Sequence, residues 1–419
     1  MASAQGARHS RPAKGEAPFA LDEIFFSRTD ERGVILSGNS VFQRVADYSW
    51  DRLIGAPHKL IRHPDMPKAV FWLLWHTIKQ GKPIGAYVKN RAADGLHYWV
   101  FAIVTPTPGG YLSVRIKPTT EVLRLVEKEY AALLKIETER KLDPADSAAL
   151  LLDRLKELGF ADYDAFLAHA IAAEMAARDA GLKRRVDARF AAVVDIADRL
   201  GRMQGELSAL FANFEAIRGI PSNMRIVASR LEPAGGPISA ISENYRVMSY
   251  DITTHLRAFS SGDNSHYAEM ARLVREGLVL LAIARVQAET IAQCRIEMAE
   301  GTLPEAETEI ELLHRQEETY RDQSMQGLRR IAEDAAKLAR TCTDLRRLVV
   351  GLDSVRVMCR VESGRLRGKV DGLAAIIDQL DVFHSETDKR LAEITDLADK
   401  IAQGAQALLP RRSAASVAA

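Results

Sequence analysis

The sequence has little cysteine and no long apolar run. Its three cysteines, Cys294, Cys342 and Cys359, do not have the spacing of a metal site or of a disulfide framework. A set of this kind is typical of a reducing compartment. No stretch of about 18 apolar residues is present, and residues 1–15 lack the apolar core of a signal peptide. We therefore expect a cytoplasmic protein without a membrane span and without a bound metal.

The chain also lacks an excess of charge of one sign. It contains 57 lysines and arginines against 56 aspartates and glutamates, interspersed along the sequence. A nucleic-acid-binding protein usually gathers a basic excess on one face, so this class is not expected. Common catalytic motifs are missing too, including a Walker loop, a Gly-x-Ser-x-Gly turn and the ATP-binding motif of histidine kinases. The sequence predicts no enzymatic activity.

Tryptophan is absent from the last three quarters of the chain. All four tryptophans lie in the first quarter, at Trp50, Trp72, Trp75 and Trp99. The rest is rich in alanine, leucine, glutamate and arginine, and 419 residues are too many for one ordinary core. We predict a globular head over residues 17–120 with a helical body after it. Disordered segments are expected over residues 1–16 and 405–419.

The head has the pattern of strands and short helices. "FFSRTDERGVILSGN" predicts two strands joined by a turn that ends at Gly33, and "SVFQRVADYSWDRLIG" predicts a short helix. A second helix is expected after Pro67, ending before Gly81. "GAYVKNRAADGLHYWVFAIVTPTPGGYLSVRIKP" then predicts three strands. The predicted fold class is α+β, a five-stranded antiparallel sheet with helices on one face.

Several unusual sequence words occur within this pattern in a specific order. They are "FFSRTD", the asparagine Asn39, "IRHPDMP", "GKP", "VKNR", "HYWV" and "GGYLSVR". With these words the head resembles a PAS domain, and more narrowly the flavin-binding PAS domain of bacterial aerotaxis receptors. The resemblance implies FAD as the cofactor. Two departures stand out, because "PIGA" replaces a second tryptophan of the family and "RAADGL" replaces a more basic hairpin.

The candidate cofactor site has six residues. A flavin pocket needs an aromatic wall, amides that can donate and accept hydrogen bonds, and cations for phosphate groups. The resemblance places five of the six at positions that serve FAD binding or stability, and residue type adds an asparagine. The six are Asn39, Arg62, His63, Asp65, Trp75 and Asn90.

Three of the residues in this region also have a purely structural interpretation. Asp65, followed closely by a proline, can be the N-cap of the second helix. Trp72 and Trp75 are three residues apart, so at least one belongs to the core, and we assign Trp72 to it. Asn90 can lie at a solvated strand end.

The type of signal can also be narrowed. Light-sensing PAS domains trap flavin through a cysteine, and the head contains none, so a redox signal is favoured over photochemistry. Haem is an alternative cofactor and would require an axial histidine. The available histidines are His58, His63, His76 and His97.

The body is predicted to consist of long helices. Residues 121–182 are expected to form a helical connector, and residues 183–301 and 304–404 to form two helical hairpins. The break "AEGTLPEA" at residues 299–306 would be the reversal between them. One chain would then supply all four helices of a bundle, through which self-association is also expected.

Two segments of the body resemble, in degenerate form, the signalling tip of chemoreceptors (methyl-accepting chemotaxis proteins). One tip is predicted near residues 220–245 and the other near residues 355–372. The resemblance implies contact with a chemotaxis histidine kinase and its coupling protein. The expected glutamate is replaced by Val227 in the first tip, and no adaptation site is evident. The candidate contact residues are Asn223, Arg230, Glu362 and Arg365.

Together these features predict a cytoplasmic sensor of redox or energy state, linked to oxygen, of the aerotaxis type. Its FAD-binding PAS head would signal to a chemoreceptor-like helical bundle. Two alternatives stay open. The protein can be a PAS-containing scaffold or oligomerisation protein that does not couple to the kinase, or a PAS sensor that binds haem.

Overall fold

The computed structural model describes residues 11–230, 235–260, 265–301, 303, 307–365 and 371–409. The described residues contain five β-strands and twelve α-helices. The strands are β1 (Phe25–Asp30), β2 (Ile35–Gly38), β3 (Ile84–Arg91), β4 (His97–Thr107) and β5 (Gly110–Ile116). The helices of the head are α1 (Ser40–Ala46), α2 (Trp50–Leu53) and α3 (Lys68–Ile78), with a 3₁₀ turn at His58–Ile61. The later helices are α4 (Glu121–Arg140), α5 (Pro144–Glu157), α6 (Tyr163–Gly181), α7 (Ala188–Ala216), α8 (Ile220–Arg230), α9 (Gly236–Ser260), α10 (His266–Ala299), α11 (Glu307–Arg365) and α12 (Asp371–Leu408).

These elements form two compact units. The first contains the described chain up to Phe190 together with Leu278–Ser324. The second contains Ala191–Gly277 together with the chain from Met325 onward. Helices α10 and α11 therefore each have one part in the first unit and one part in the second.

The head contains one antiparallel sheet with the strand order β2-β1-β5-β4-β3. Its first turn is fixed by Asp30, whose carboxylate accepts the backbone N–H groups of Arg32 and Val34 at 2.9 Å each. Gly33 completes the turn with a φ of +81°, which favours glycine. The predicted five-stranded antiparallel sheet with helices is confirmed, and the long helical region that follows it is confirmed as well.

Helices α1 and α3 cover the inner face of the sheet. Helix α1 begins after Asn39, whose side-chain oxygen accepts the N–H of Phe42 at 3.3 Å. Helix α3 begins at Lys68, with Pro67 as its cap residue. The interpretation of Asp65 as an N-cap is therefore wrong, because its carboxylate lies two residues before the cap and contacts Lys89 at 2.6 Å instead.

The outer face of the sheet is covered too, by helices α4 and α6. The ring of Trp99 packs against Tyr130 of α4, with 6.3 Å between centroids, and the hydroxyl of Tyr130 donates to the carbonyl of Tyr87 at 3.3 Å. The Tyr87 hydroxyl donates to Glu174 of α6 at 2.9 Å. Residues 121–182, predicted as a helical connector, form three helices, and two of these pack on the outer face of the sheet. The reason is that the outer face carries large aromatic residues that must be removed from water.

Residues 278–324, from helices α10 and α11, also pack in the first unit. Glu309 of α11 accepts hydrogen bonds from Arg28 at 2.9 Å and from Ser37 at 2.7 Å. Glu297 of α10 accepts a hydrogen bond from the side-chain amide of Asn39 at 2.8 Å. The end of α10 and the start of α11 are therefore attached to β1, to β2 and to the residue that caps α1 in the head.

The second unit is a bundle of helices with buried residues at heptad spacing. On α7 these buried residues are Leu200, Met203, Leu207, Leu210 and Phe214. Helix α12 packs beside α7, with the Phe214 and Phe383 rings 5.0 Å apart and an Arg202–Glu393 ion pair at 2.6 Å. Helices α8 and α9 contact each other through an Arg225–Glu243 ion pair at 2.8 Å, and α11 and α12 through an Arg346–Asp388 ion pair at 3.0 Å. The predicted tips include the ends of these helices, and residues 231–234 and 366–370 lie outside the described residues.

Parts of both predicted disordered segments have described structure. Within residues 11–16, Arg11 forms an ion pair with Asp94 at 2.6 Å, and the carbonyl of Gly15 accepts the N–H of His97 at 3.1 Å. At the other end α12 continues to Leu408, because Ala405 is still buried. Residues 1–10 and 410–419 lie outside the described residues.

One described helix, α10, is long and apolar enough to cross a membrane by length and composition. Of its most apolar window, 67% is buried inside the protein. Core helices of soluble proteins pass the same test, so this helix is weak evidence for a membrane span.

Strand pairing in the head gives a testable prediction at Gly110. A Cβ atom at this position would lie 1.9 Å from the carbonyl oxygen of Thr29, so Gly110→Ala should push β5 away from β1. We expect the free energy of unfolding to fall by about 1–3 kcal/mol. Urea denaturation followed by tryptophan fluorescence measures this, because all four tryptophans lie in the first unit.

Gly201 provides the control. It is an exposed residue of α7 in the second unit with no atom within 4 Å of an added Cβ, so Gly201→Ala should leave the tryptophan-detected unfolding of the first unit unchanged. Equal stabilities of wild type and Gly110→Ala would contradict the described pairing of β1 with β5.

Candidate functional site

A cavity of about 350 Å³ lies between the inner face of the sheet and the helices of the head. Its volume is within the range of about 300–1,000 Å³ that small-molecule sites occupy. Apolar side chains form most of its wall, and four cationic side chains are present. Among the described residues, no carboxylate lines it. The lining residues are Thr29, Arg32, Gly33, Pro57, His58, Lys59, Arg62, Phe71, Leu74, Trp75, Ile78, Val88, Asn90, Ala102, Val104, Tyr111, Ser113 and Arg115.

Trp75 of α3 provides an aromatic wall. Its ring meets that of Tyr111 edge to face, with 5.5 Å between centroids. On another side it touches the β1–β2 turn, where a Cβ atom at Gly33 would lie 3.0 Å from the indole. Glycine is thus required at position 33 both by the backbone conformation and by the close approach of the indole. Tyr111 and the β1–β2 turn hold the Trp75 ring in place from two sides.

Asn90 of β3 provides a hydrogen-bond donor without an acceptor. The residue is 2% exposed and lines the cavity. Its side-chain Nδ2 has no hydrogen-bond partner among the described residues. A buried amide donor left in this way costs about 1–3 kcal/mol, and buried polar groups in proteins are rarely left so. An acceptor supplied by a ligand in the cavity would satisfy it.

Arg115 of β5 places a buried positive charge at the cavity. It is 2% exposed, and it donates to the hydroxyl of Ser27 at 2.8 Å. Its guanidinium lies 5.2 Å from the centre of the Phe42 ring. Burial lowers the pKa of Arg115 to about 10, so the group is still a cation at neutral pH. Since a buried charge needs a compensating partner, this end of the cavity suits an anionic or strongly accepting ligand group.

His58 is held neutral beside this cation. Burial, together with the charges of Arg115 and Arg62, lowers the pKa of His58 to about 3. Its Nε2 lies 2.5 Å from Nη2 of Arg115. Because arginine can only donate, Nε2 is the acceptor and the ring proton sits on Nδ1.

This arrangement bears on the haem alternative. Of the four histidines considered from the sequence, His58 lines the cavity, whereas His63, His76 and His97 do not. Since Nε2 of His58 is engaged by Arg115, none of the four is placed as a free axial ligand in the cavity.

Three of the six predicted site residues, Arg62, Trp75 and Asn90, meet at the cavity. His63 and Asp65 lie outside it, in a surface cluster where Asp65 contacts Lys89 at 2.6 Å and His63 at 3.4 Å. The hydrogen bond from Lys89 lowers the pKa of Asp65, and burial lowers the pKa of His63. This cluster can fix the chain just before α3, but in the structure it does not line the cavity.

Asn39 is also placed away from the cavity. Its side chain is fully buried and accepts the N–H of Phe26 at 3.1 Å, besides capping α1. Its amide donates to the carbonyl of Ile24 at 3.0 Å and to Glu297. Every polar atom of the side chain is therefore used within the protein.

Sequence reasoning missed Arg115 and did not assign His58 to a flavin site. The signal for Arg115 was available, because the alternation in "GYLSVRI" places Tyr111, Ser113 and Arg115 on one face of β5. A sheet that packs against a closed apolar core would not carry a charged residue at an inward position. Trp72 was assigned to the core, but it is only partly buried and stacks on His76. That interpretation was wrong because α3 turns this position toward its exposed side.

The predicted tip residues lie at helix ends of the second unit. Asn223 and Arg230 are exposed on α8, and Arg365 forms an ion pair with Glu362 at 3.0 Å near the end of α11. Over the described part of the chain, no group of three or more histidine, cysteine, aspartate or glutamate side chains is arranged to hold a metal ion.

Comparison with known proteins identifies the head. Residues 35–111 match the model of the PAS fold. The aerotaxis receptor of Escherichia coli K12 is 38% identical over 139 residues, which are 32% of this chain and 28% of that protein. The nitrogen fixation regulatory protein of Klebsiella pneumoniae is 30% identical over 83 residues, which are 20% of this chain and 17% of that protein. This chain therefore spans less than a third of the length of either relative.

Solved structures also align with part of this chain. The PAS domain of a Colwellia psychrerythraea protein is 21% identical, with a TM-score of 0.20, and covers 23% of this chain and 86% of that one. The dark structure of the blue-light photoreceptor Aureochrome1 LOV is 23% identical, with a TM-score of 0.21, and covers 28% and 86%. The head is a PAS domain similar to that of an aerotaxis receptor, and the two relatives are a receptor and a regulatory protein.

The protonation of His58 gives a prediction on pH. Its pKa is about 3 in the folded protein and about 6.5 in the unfolded chain, so the unfolded chain binds more protons between these values. The stability from neutral His58 is complete above pH 6.5 and is lost as the pH falls toward 3. Relative to His58→Gln, wild type should lose up to about 1.4 kcal/mol of unfolding free energy per pH unit in this window.

Urea denaturation of both proteins at pH 7.5, 6.0 and 5.0 measures the difference. Glutamine is a matched replacement because its side-chain oxygen can still accept from Arg115. Parallel stability curves for the two proteins would contradict a buried neutral histidine.

Proposed function

We propose that the PAS head binds FAD and that the protein is a cytoplasmic sensor of redox or energy state, linked to oxygen, without enzymatic activity of its own. The observation that carries the proposal is that two unsatisfied groups line the same cavity. Asn90 has a side-chain amide without an acceptor, and Arg115 is a buried cation without a carboxylate beside it. Similarity of the head to an aerotaxis receptor supports it.

The cavity residues have the chemistry that a flavin ring system needs. The ring is flat, with apolar faces and a rim of carbonyl and imine groups. Trp75, Val88 and Val104 supply apolar walls, Asn90 supplies a donor, and Arg115 supplies a donor with positive charge. When bound, FAD supplies a redox couple whose charge and hydrogen-bonding pattern change on reduction.

The residues around Arg115 can pass such a change into the sheet. Arg115 donates a hydrogen bond to Ser27 on the inner face of β1. Arg28, which follows Ser27 in the chain, donates a hydrogen bond to Glu309 of α11. A shift of the guanidinium toward or away from a ligand therefore acts on a strand that is attached to the helical body. A free-energy difference of a few kcal/mol between the two positions of the guanidinium is enough for a signal.

The body is proposed to pass the signal on through its two predicted tips. The candidate contacts for a chemotaxis histidine kinase and its coupling protein are Asn223, Arg230, Glu362 and Arg365. Supporting this, the exposed side chains of α8 include Asn223 and Arg230, which are available to a partner.

Self-association of the body is supported by a separate feature of α11. Val350, Val357 and Val361 are exposed, at spacings of seven and four residues. This spacing places them on one face of the helix, as in a coiled-coil seam. We propose that this face contributes to association between copies of the chain.

The flavin proposal predicts a coloured protein. Purified protein, or protein reconstituted with FAD, should show the absorbance of an oxidised flavin, which is bleached by reduction. Asn90→Ala should weaken FAD binding about tenfold, because one buried hydrogen bond is lost. Titration of the apoprotein by flavin fluorescence measures this affinity.

Arg91→Ala is the matched control, since Arg91 is exposed on the same strand and does not line the cavity. It should bind FAD as wild type does. A colourless protein that cannot be reconstituted with FAD would refute the proposal.

A further inference from the structure

The flavin cavity continues into a second depression that the sequence did not reveal. This groove, of about 480 Å³, shares Arg62, Phe71 and Trp75 with the cavity, so the two are contiguous. The remaining residues that line it come from the exposed side of α3 and from the start of α5. They are Lys68, Trp72, His76, Lys79 and Pro144.

The groove is positively charged. Arg62, Lys68 and Lys79 line it, and none of these three forms an ion pair with another described residue. Lys68 donates to the carbonyl of Leu142 at 3.0 Å, and Lys79 lies 5.6 Å from the centre of the Trp75 ring. In the part of the chain that the structure describes, no carboxylate lines the groove. Three cations without acidic partners around one depression favour an anionic occupant.

The groove also contains an aromatic surface. Trp72 and His76 are four residues apart on α3 and stack with 4.7 Å between ring centroids at an interplanar angle of 8°. The indole is only partly buried, so the core does not explain its presence. A partly exposed, preordered aromatic pair is a surface on which a flat base can stack.

The size of the cavity indicates which part of a ligand the groove would hold. At about 350 Å³ the cavity is near the lower limit for small-molecule sites, which suits a three-ring flavin system better than a whole dinucleotide. The rest of FAD is a pyrophosphate followed by adenine. Its order of an anion and then a flat base matches the cations at the cavity mouth and the aromatic pair beyond them.

We propose that this groove binds the adenosine diphosphate part of the cofactor, with Arg62, Lys68 and Lys79 at the pyrophosphate and the Trp72–His76 pair under the adenine. The inference rests on the proposed flavin function and adds selectivity to it. The cavity holds the ring common to all flavins, whereas the groove distinguishes FAD from FMN and riboflavin.

The test compares the affinities of the apoprotein for FAD, FMN and riboflavin by fluorescence titration. Wild type should bind FAD at least about tenfold more tightly than riboflavin. Trp72→Ala should weaken FAD binding about tenfold and leave riboflavin binding unchanged, since one base-stacking contact is lost. Trp72→Phe keeps an aromatic ring and should restore much of the FAD affinity, which separates stacking from loss of structure.

A double variant that removes two positive charges tests the pyrophosphate contacts. Lys68→Gln combined with Lys79→Gln should weaken FAD and FMN but not riboflavin, and the loss should shrink as salt is raised. Lys82→Gln is the control, because Lys82 is exposed just after α3 and lines neither the cavity nor the groove.

The outcomes separate the two proposals. If wild type binds all three flavins equally, or if Trp72→Ala weakens FAD and riboflavin alike, the groove does not bind the adenosine part, while the flavin proposal stands. If wild type binds none of the three, the flavin proposal fails and the groove assignment fails with it.

Discussion

A five-stranded sheet whose residues are apolar on both faces has to be covered twice, and the rest of the first unit follows from this constraint. Alternation along β3 to β5 places Asn90 and Arg115 on the inner face and Tyr87 and Trp99 on the outer face. Short helices of the head cover the inner face incompletely, which leaves the cavity. Helices α4 and α6 cover the outer face. Glu309 of the body attaches at β1 and β2, and Glu297 attaches at Asn39. One thin layer of backbone therefore separates the cavity from the helices that lead to the body.

The chemistry of the cavity follows from what the sheet places there without partners. Arg115 is a buried cation whose contacts are a hydroxyl, a neutral histidine and aromatic rings. Asn90 offers a donor that no described group accepts. Such groups are costly in a closed core, but they are useful in a site where a ligand provides the acceptors and the negative charge. The same asymmetry continues outward, where Lys68 and Lys79 face the groove without carboxylates.

Local patterns predicted the sheet, its turns and half of the candidate site, and the other half depended on distant contacts. Arg62, Trp75 and Asn90 lie where short-range spacing and family resemblance placed them. Asn39 has the right residue type for a cofactor, but its amide is taken by Glu297, which lies 258 residues further along the chain. No sequence window shows such a contact. The packing of residues 121–182 was missed for a related reason, since the pattern of a helix shows an apolar face but not what covers it.

The state of the cavity is proposed to reach the body through the sheet. Hydrogen–deuterium exchange of the FAD-loaded protein, measured oxidised and reduced, tests this most directly. If the signal passes through the sheet, reduction changes exchange in residues 278–299 and 307–324, which include the contact of Glu309 with β1 and β2, as well as around the cavity. A change confined to the cavity-lining segments, with residues 278–324 unaffected, would contradict it.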